Sequence, residues 1–179
     1  MLTRRQVLCG AAALAGLAGS AQAQTDSPDV GATFPDLRFV NPARQWSSIG
    51  QLPAQPQVVY LWASWCPICE GDLPNIAAVR ARLGGVSNRV GFLLLNFLEP
   101  FATGQAWATS HGIKLPFSES DSTNRSTPTI SVSNGGKATF SLHTPQLYIV
   151  DARRVVRWRN RGGANRQEML YDTLMGMTI

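Results

Sequence analysis

Two cysteines, Cys66 and Cys69, lie one helical turn apart, and their type and spacing suggest chemistry more directly than any other residues of this chain. They follow the apolar run 58–63, which has the composition of a buried strand, and a helical pattern begins at the first cysteine. Free backbone N–H groups and the helix dipole favour a thiolate at the start of a helix. We therefore predict a redox-active dithiol that needs no bound cofactor. In it, Cys66 is the nucleophile and Cys69 resolves the mixed disulfide.

A zinc half-site is the alternative use of such a pair. A closed zinc site needs a second pair of Cys or His residues at metal spacing, whereas His111 and His143 are single and far apart in the sequence. A disulfide that only stabilises the fold is also a poor explanation, because cysteines two residues apart close almost no loop. Redox chemistry is therefore favoured, and no metal site is predicted.

The N-terminus has the composition of a secretory signal. Arg4 and Arg5 precede an apolar run at 7–18, and the Ala-Gln-Ala sequence at 21–23 fits a small-x-small cleavage site. The run is shorter than the roughly 20 apolar residues that span a bilayer, so a retained membrane anchor is the weaker interpretation. We expect cleavage after Ala23 and a periplasmic location. The paired arginines resemble a twin-arginine signal, and the Sec route is the alternative.

The composition is that of one soluble globular domain, with 44% hydrophobic and 15% charged residues among 179. Loss of a signal at 1–23 removes Arg4 and Arg5, so the basic residues fall from 16 to 14 against 11 acidic ones and the net charge falls from +5 to +3. So small a charge does not indicate nucleic-acid binding. We expect a flexible leader at 24–30 and a single domain at 31–179.

The mature chain alternates strand and helix patterns. The predicted strands are 37–40, 58–63, 90–96, 147–150 and 155–159, and the predicted helices are 66–83, 101–111 and 167–175. Residues 41–56 are expected to form a loop, and 115–133 an ordered loop or a short hairpin before the turn signal Asn134-Gly135. This order predicts an α/β fold with a central mixed sheet sandwiched by helices.

Four segments carry a family likeness: Phe-Pro-Asp-Leu at 34–37, Leu-Trp-Ala-Ser-Trp-Cys-Pro-Ile-Cys at 61–69, Asp-Leu-Pro at 72–74 and Thr-Pro-Gln-Leu-Tyr-Ile-Val-Asp at 144–151. They resemble the thioredoxin superfamily, specifically the exported TlpA/ResA-type thiol-disulfide oxidoreductases, over nearly all of residues 31–176. The combination of Trp-Cys-x-x-Cys after an apolar strand with Thr-Pro before a later strand is specific. The resemblance implies a thioredoxin-like fold with one or more N-terminal extension strands.

The resemblance also implies a proline that faces the cysteines. Pro145 would be this cis-proline, and the backbone of Thr144 would pair with an extended substrate segment. Proline suits the position because the cis isomer of an X–Pro bond costs only about 0.5 to 1 kcal/mol. The Thr-Pro pair at 127–128 competes for the role. We favour Pro145 because 147–159 supplies the strand, turn and strand that should follow.

Further site residues follow from the same likeness. Asp72 stands three residues after Cys69, where the family carries Glu in a Cys-x-x-Cys-x-x-Glu-x-Pro pattern and uses its carboxylate in proton transfer. The same role is implied for Asp72, and a helix acid favoured by the dipole is the alternative. Trp65, Pro67 and Ile68 are predicted to contact the client, with Trp65 as an apolar shoulder.

The function implied by the resemblance is a monomeric disulfide reductase of the cell envelope. Its partners would be client proteins with disulfides, for example in the maturation of cytochrome c or of a copper protein, and a membrane-bound electron donor. A disulfide-forming oxidase is the alternative, but that family has a large helical insert. A copper-binding factor or chaperone would space its cysteines by three residues and add a distal His. A peroxiredoxin would carry Thr where Ala63 stands.

Overall fold

The computed structural model describes residues 27–126, 128–160 and 167–178. The predicted signal and residues 24–26 of the predicted leader lie outside these ranges. The described elements are β1 Arg38–Val40, β2 Trp46–Ser48, β3 Gln57–Trp62, α1 Pro67–Arg82, β4 Gly91–Asn96, α2 Phe101–Ser110, β5 Phe117–Glu119, β6 Thr129–Ser131, β7 Lys137–Thr139, β8 Gln146–Val150, β9 Val156–Asn160 and α3 Gln167–Thr178. Short 3-10 turns lie at Ile49–Gln51 and Gly84–Arg89.

A seven-stranded mixed sheet in the order β2-β1-β5-β4-β3-β8-β9 forms the centre of the domain. β3 runs parallel to β4 and antiparallel to β8. Every residue of β3 is buried, as expected for a strand with apolar residues on both faces. Val58, Tyr60 and Trp62 contribute to one core cluster, and Val59 and Leu61 to the other. The predicted thioredoxin-like α/β fold is confirmed.

Buried residues of all three helices pack in the first cluster. α1 begins at Pro67, a favoured residue at the first helical position, and continues past Pro74 to Arg82. Ile76 and Val79, beyond that proline, remain in the core and hold this half of the helix against the sheet. Among the described residues, no helix is long and apolar enough to cross a membrane.

The second face of the sheet is covered differently. Its buried cluster contains Phe34, Phe39 and Ile49 from the N-terminal segment, together with Ile130 and Phe140 from and beside the β6–β7 hairpin. No residue of α1, α2 or α3 belongs to this cluster. We predicted helices on both faces of the sheet. In the structure the described helices cover one face, and the N-terminal segment and the β6–β7 hairpin cover the other.

Two predicted loops contain strands. The segment 41–56 includes β2, which pairs with β1 at one edge of the sheet. The segment 115–133 includes β5, which lies between β1 and β4 and buries Phe117. The predicted hairpin is formed by β6 and β7, which pair with each other. Gly135, in the turn between them, has a φ of 86°.

The packed chain also begins earlier than expected. Ser27 and Pro28, which we assigned to the flexible leader 24–30, are buried. The Ser27 hydroxyl donates to Gln146 Oε1 at 3.1 Å, and Arg159 Nη1 donates to the carbonyls of Ser27 and Pro28 at 3.1 and 3.2 Å. These long-range bonds attach residues 27 and 28 to the domain, so the flexible-leader prediction is wrong for them.

Candidate dithiol active site

Cys66 and Cys69 form a disulfide at the beginning of α1, with their Cα atoms 5.3 Å apart. Cys66 is the N-cap residue, and its Sγ accepts a hydrogen bond from the backbone N–H of Cys69 at 3.2 Å. This N–H lies in the first turn, where no carbonyl four residues earlier is available, and it also donates to the Cys66 carbonyl at 3.0 Å. When the pair is reduced, the same donor stabilises a thiolate on Cys66, which supports its assignment as the nucleophile.

The Thr144–Pro145 peptide bond is cis. β3 pairs antiparallel with β8 in a register that joins Leu61 to Gln146, so one further step places Pro145 beside Trp62. The turn that leads to Cys66 starts at this end of β3. The cis conformation that the resemblance implies for Pro145 is therefore present, and it lies at the same end of β3 as the turn that leads to Cys66. Contact of Thr144 and Pro145 with a client stays a prediction.

Asp72 lies on the buried side of α1, where only 2% of its surface is exposed. The hydroxyl of Tyr60, itself buried in β3, donates to Asp72 Oδ2 at 3.1 Å. Burial and the neighbouring carboxylate raise the pKa of Tyr60 well above its ordinary value, so the tyrosine keeps its proton and acts as the donor. Asp72 therefore faces the sheet, and Glu70 is the acidic residue of the first turn.

The predicted client surface is partly apolar and exposed. Ile68 is 50% exposed beside the cysteines, and Trp65 is half-buried. The structure adds Leu142, 53% exposed and two residues before Thr144, which sequence reasoning missed. Its only sequence signal is its closeness to the Thr-Pro pair. Exposed apolar side chains beside the cysteines and just before the Thr144–Pro145 bond suit contact with an unfolded or extended segment.

A cation lies over the active-site tryptophan. The guanidinium carbon of Arg125 is 3.8 Å from the centroid of the Trp65 ring, the geometry of a cation–π contact. The Trp65 Nε1 atom and the Thr144 Oγ1 atom are buried without a hydrogen-bond partner in the described structure. Arg125 was missed because its loop is rich in Ser and Thr and shows no periodicity.

A third missed residue is Glu99, which bonds to Ser64 in the turn before Cys66. One signal could have found it. Glu99 follows the strand predicted at 90–96, and Ser64 follows the strand predicted at 58–63. Parallel neighbouring strands bring their carboxyl ends to the same edge of a sheet, where sites of α/β folds form.

Within the described ranges, no group of three or more His, Cys, Asp and Glu side chains is arranged to hold a metal ion. His143, two residues before Pro145, is exposed.

A family model described as Redoxin matches residues 29–174. The chain belongs to the Redoxin family. This Redoxin-family chain also shares its fold with solved structures of low sequence identity. The thioredoxin domain of a thiol-disulfide oxidoreductase from Bacteroides vulgatus is 10% identical with a TM-score of 0.62, over 86% of this chain and all of that one.

Two further structures show the same fold. A secreted disulfide oxidoreductase of Mycobacterium tuberculosis, homologous to E. coli DsbE, is 14% identical with a TM-score of 0.55, over 79% of this chain and 96% of that one. StoA from Bacillus subtilis is 17% identical with a TM-score of 0.54, over 81% and 98%. Family membership, fold and the Cys66–Cys69 disulfide agree on a thiol-disulfide oxidoreductase.

Proposed function

We propose that this protein is an exported reductase that transfers electrons from the reduced Cys66/Cys69 pair to disulfides of envelope proteins. The observation that carries the proposal is the disulfide at the start of α1, at the same end of β3 as the cis Thr144–Pro145 bond. The signal-like sequence at 1–23 supports export, and a secreted protein is among the structures that share the fold. Clients in cytochrome c or copper-protein maturation belong to the same proposal.

The transfer takes two steps. The Cys66 thiolate attacks one sulfur of the client disulfide, whose S–S bond breaks to release one client thiolate and leave a mixed disulfide. The Cys69 thiolate then attacks Cys66 Sγ, which releases the second client thiolate and forms the Cys66–Cys69 disulfide. Two electrons have moved to the client. A membrane-bound donor returns two electrons and two protons to regenerate the dithiol.

The second step needs Cys69 to lose its proton in a buried place. Cys69 has no exposed surface, so water does not reach its sulfur readily. Asp72 lies three residues further along α1, and residues at this spacing share a helix face. We assign Asp72 as the acceptor of the Cys69 proton, while the Tyr60 hydroxyl holds its carboxylate in place.

Replacing Asp72 with Asn tests this assignment. The amide keeps an acceptor for Tyr60 but does not take a proton, so we expect resolution of the mixed disulfide to slow by about 100-fold, within the usual range for general acid–base catalysis. Stopped-flow measurement of mixed-disulfide decay would give the rate. Tyr60→Phe is the matched control, which loses the hydrogen bond and about 1 kcal/mol of stability but keeps the carboxylate. Resolution at the wild-type rate in Asp72→Asn would remove Asp72 from the mechanism.

The direction of electron transfer is tested by the equilibrium between the Cys66/Cys69 pair and glutathione. A reductase has a low reduction potential, near that of thioredoxin at about −270 mV, and an oxidase a high one, near about −120 mV.

A further inference from the structure

Glu99 is a buried carboxylate that holds the turn before Cys66. It lies just after β4 and is 6% exposed. Its Oε1 atom accepts from the backbone N–H of Ser64 at 2.7 Å and from Asn96 Nδ2 at 2.6 Å, and its Oε2 atom accepts from the Ser64 hydroxyl at 2.5 Å. All three partners donate, as an ionised carboxylate requires. Short charge-assisted bonds of this kind are strong.

The bonded turn leads directly to the nucleophile. The backbone N–H of Cys66 donates to the carbonyl of Ala63 at 3.2 Å, so Ser64 and Trp65 are the middle residues of a tight turn. Glu99 bonds both the backbone and the side chain of Ser64 and therefore fixes this turn. Ser64 is two residues from Cys66, so their Cα atoms are at most about 7 Å apart.

Gly104 leaves space beside the Glu99 carboxylate, and no cationic side chain of the described residues pairs with it. A Cβ added to Gly104, on α2, would lie 2.3 Å from Asn96 Nδ2 and 2.9 Å from Glu99 Oε1, so a larger residue there would displace the pair. Among the described residues, no Lys, Arg or His nitrogen lies within 4.0 Å of the Glu99 carboxylate. The negative charge is thus held by hydrogen bonds alone, and burial limits its screening by salt.

We infer that Glu99 is a positioning residue of the dithiol site, which fixes the 63–66 turn and places a negative charge that makes the pair a stronger reductant. The inference rests on the thiol exchange at Cys66 proposed above. A negative charge near Cys66 opposes formation of its thiolate, whereas the disulfide carries no charge. Glu99 therefore favours the disulfide over the reduced form, and a pair whose reduced form is less stable gives up its electrons more readily.

Glu99→Gln tests the effect of the Glu99 negative charge separately from that of the side chain's shape. In the equilibrium with glutathione, the dithiol and oxidised glutathione give the disulfide and two molecules of reduced glutathione. We expect Glu99→Gln to shift this equilibrium about tenfold toward the dithiol, equal to a rise of about 30 mV in reduction potential. Alkylation of Cys66 by iodoacetamide should begin at lower pH. Gln keeps acceptor and donor groups for Ser64 and Asn96, and the thermal unfolding midpoint of the oxidised form checks that the variant folds.

Two further variants keep the test decisive. Ser64→Ala removes one donor but leaves the charge, so its equilibrium should stay at the wild-type value or move toward the disulfide. Glu168→Gln removes an exposed carboxylate on α3 and should leave the equilibrium with glutathione at the wild-type value. Equal shifts toward the dithiol in Ser64→Ala and Glu99→Gln would overturn the inference, because a purely structural clamp predicts them. An unchanged equilibrium in Glu99→Gln would overturn it as well.

This outcome is independent of the proposed direction of electron transfer. A wild-type pair with the potential of an oxidase would contradict the proposed reductase, yet the difference between Glu99→Gln and the wild type would still measure the effect of the charge.

Discussion

Replacing Cys66 with Ser is expected to lower the rate of insulin reduction by at least about 10³-fold, to the level of the reductant alone. The serine hydroxyl occupies the same N-cap position, but it does not ionise near neutral pH and so supplies no nucleophile for the client disulfide. Insulin turbidity with dithiothreitol as the electron source measures the rate.

The controls for this variant separate chemistry from folding. Ala81→Ser adds a hydroxyl on the same helix at an exposed position and should keep the wild-type rate. Because Cys66→Ser lacks the disulfide, its unfolding midpoint is compared with that of the reduced wild type. Insulin reduction by a folded Cys66→Ser protein at the wild-type rate would show that the nucleophile lies elsewhere.

Replacing Cys69 with Ser should stop thiol-disulfide exchange at the mixed disulfide, so that the client stays covalently bound to Cys66. The first step is intact because Cys66 and the Cys69 backbone N–H that bonds its sulfur both remain. The second step has no resolving sulfur, so the mixed disulfide between Cys66 and the client persists. Nonreducing gels of the reduced variant mixed with oxidised insulin should show a covalent adduct that dithiothreitol removes.

The matched control for capture is the double variant with Ser at both positions. It should form no adduct, because the captured client is bound through Cys66 alone. Adducts of equal amount in the single and double variants would mean that another group reacts. A Cys69→Ser protein that still turned over insulin at the wild-type rate would mean that the pair does not act through an intramolecular disulfide.

The parts of the fold with strong local signals were predictable. β3 is a run of apolar residues, and α1 opens with the cysteines and keeps an apolar face beyond Pro74, so both were located within one or two residues. The cis state of Pro145 came from the family likeness, since local sequence alone left two Thr-Pro pairs in competition.

The rest depends on contacts distant in sequence. β5 is three residues long in a Ser-rich segment, and its place between β1 and β4 is set by pairing partners and by the burial of Phe117. The bonds of Ser27 to Gln146 and of Ser64 to Glu99 join residues 119 and 35 positions apart. No periodicity or motif reports such bonds. Asp72 was identified from the family likeness, but its burial against Tyr60 required the packed sheet.

The reduction potential of the Cys66/Cys69 pair decides whether the pair donates or accepts electrons. The wild-type protein is equilibrated in buffers of defined ratio of reduced to oxidised glutathione, and the fraction of dithiol is counted by alkylation and mass spectrometry. We predict a potential near about −270 mV, the value of thioredoxin. A potential near about −120 mV, the value of a disulfide-forming oxidase, would show that the pair accepts electrons and that the protein is not a reductase.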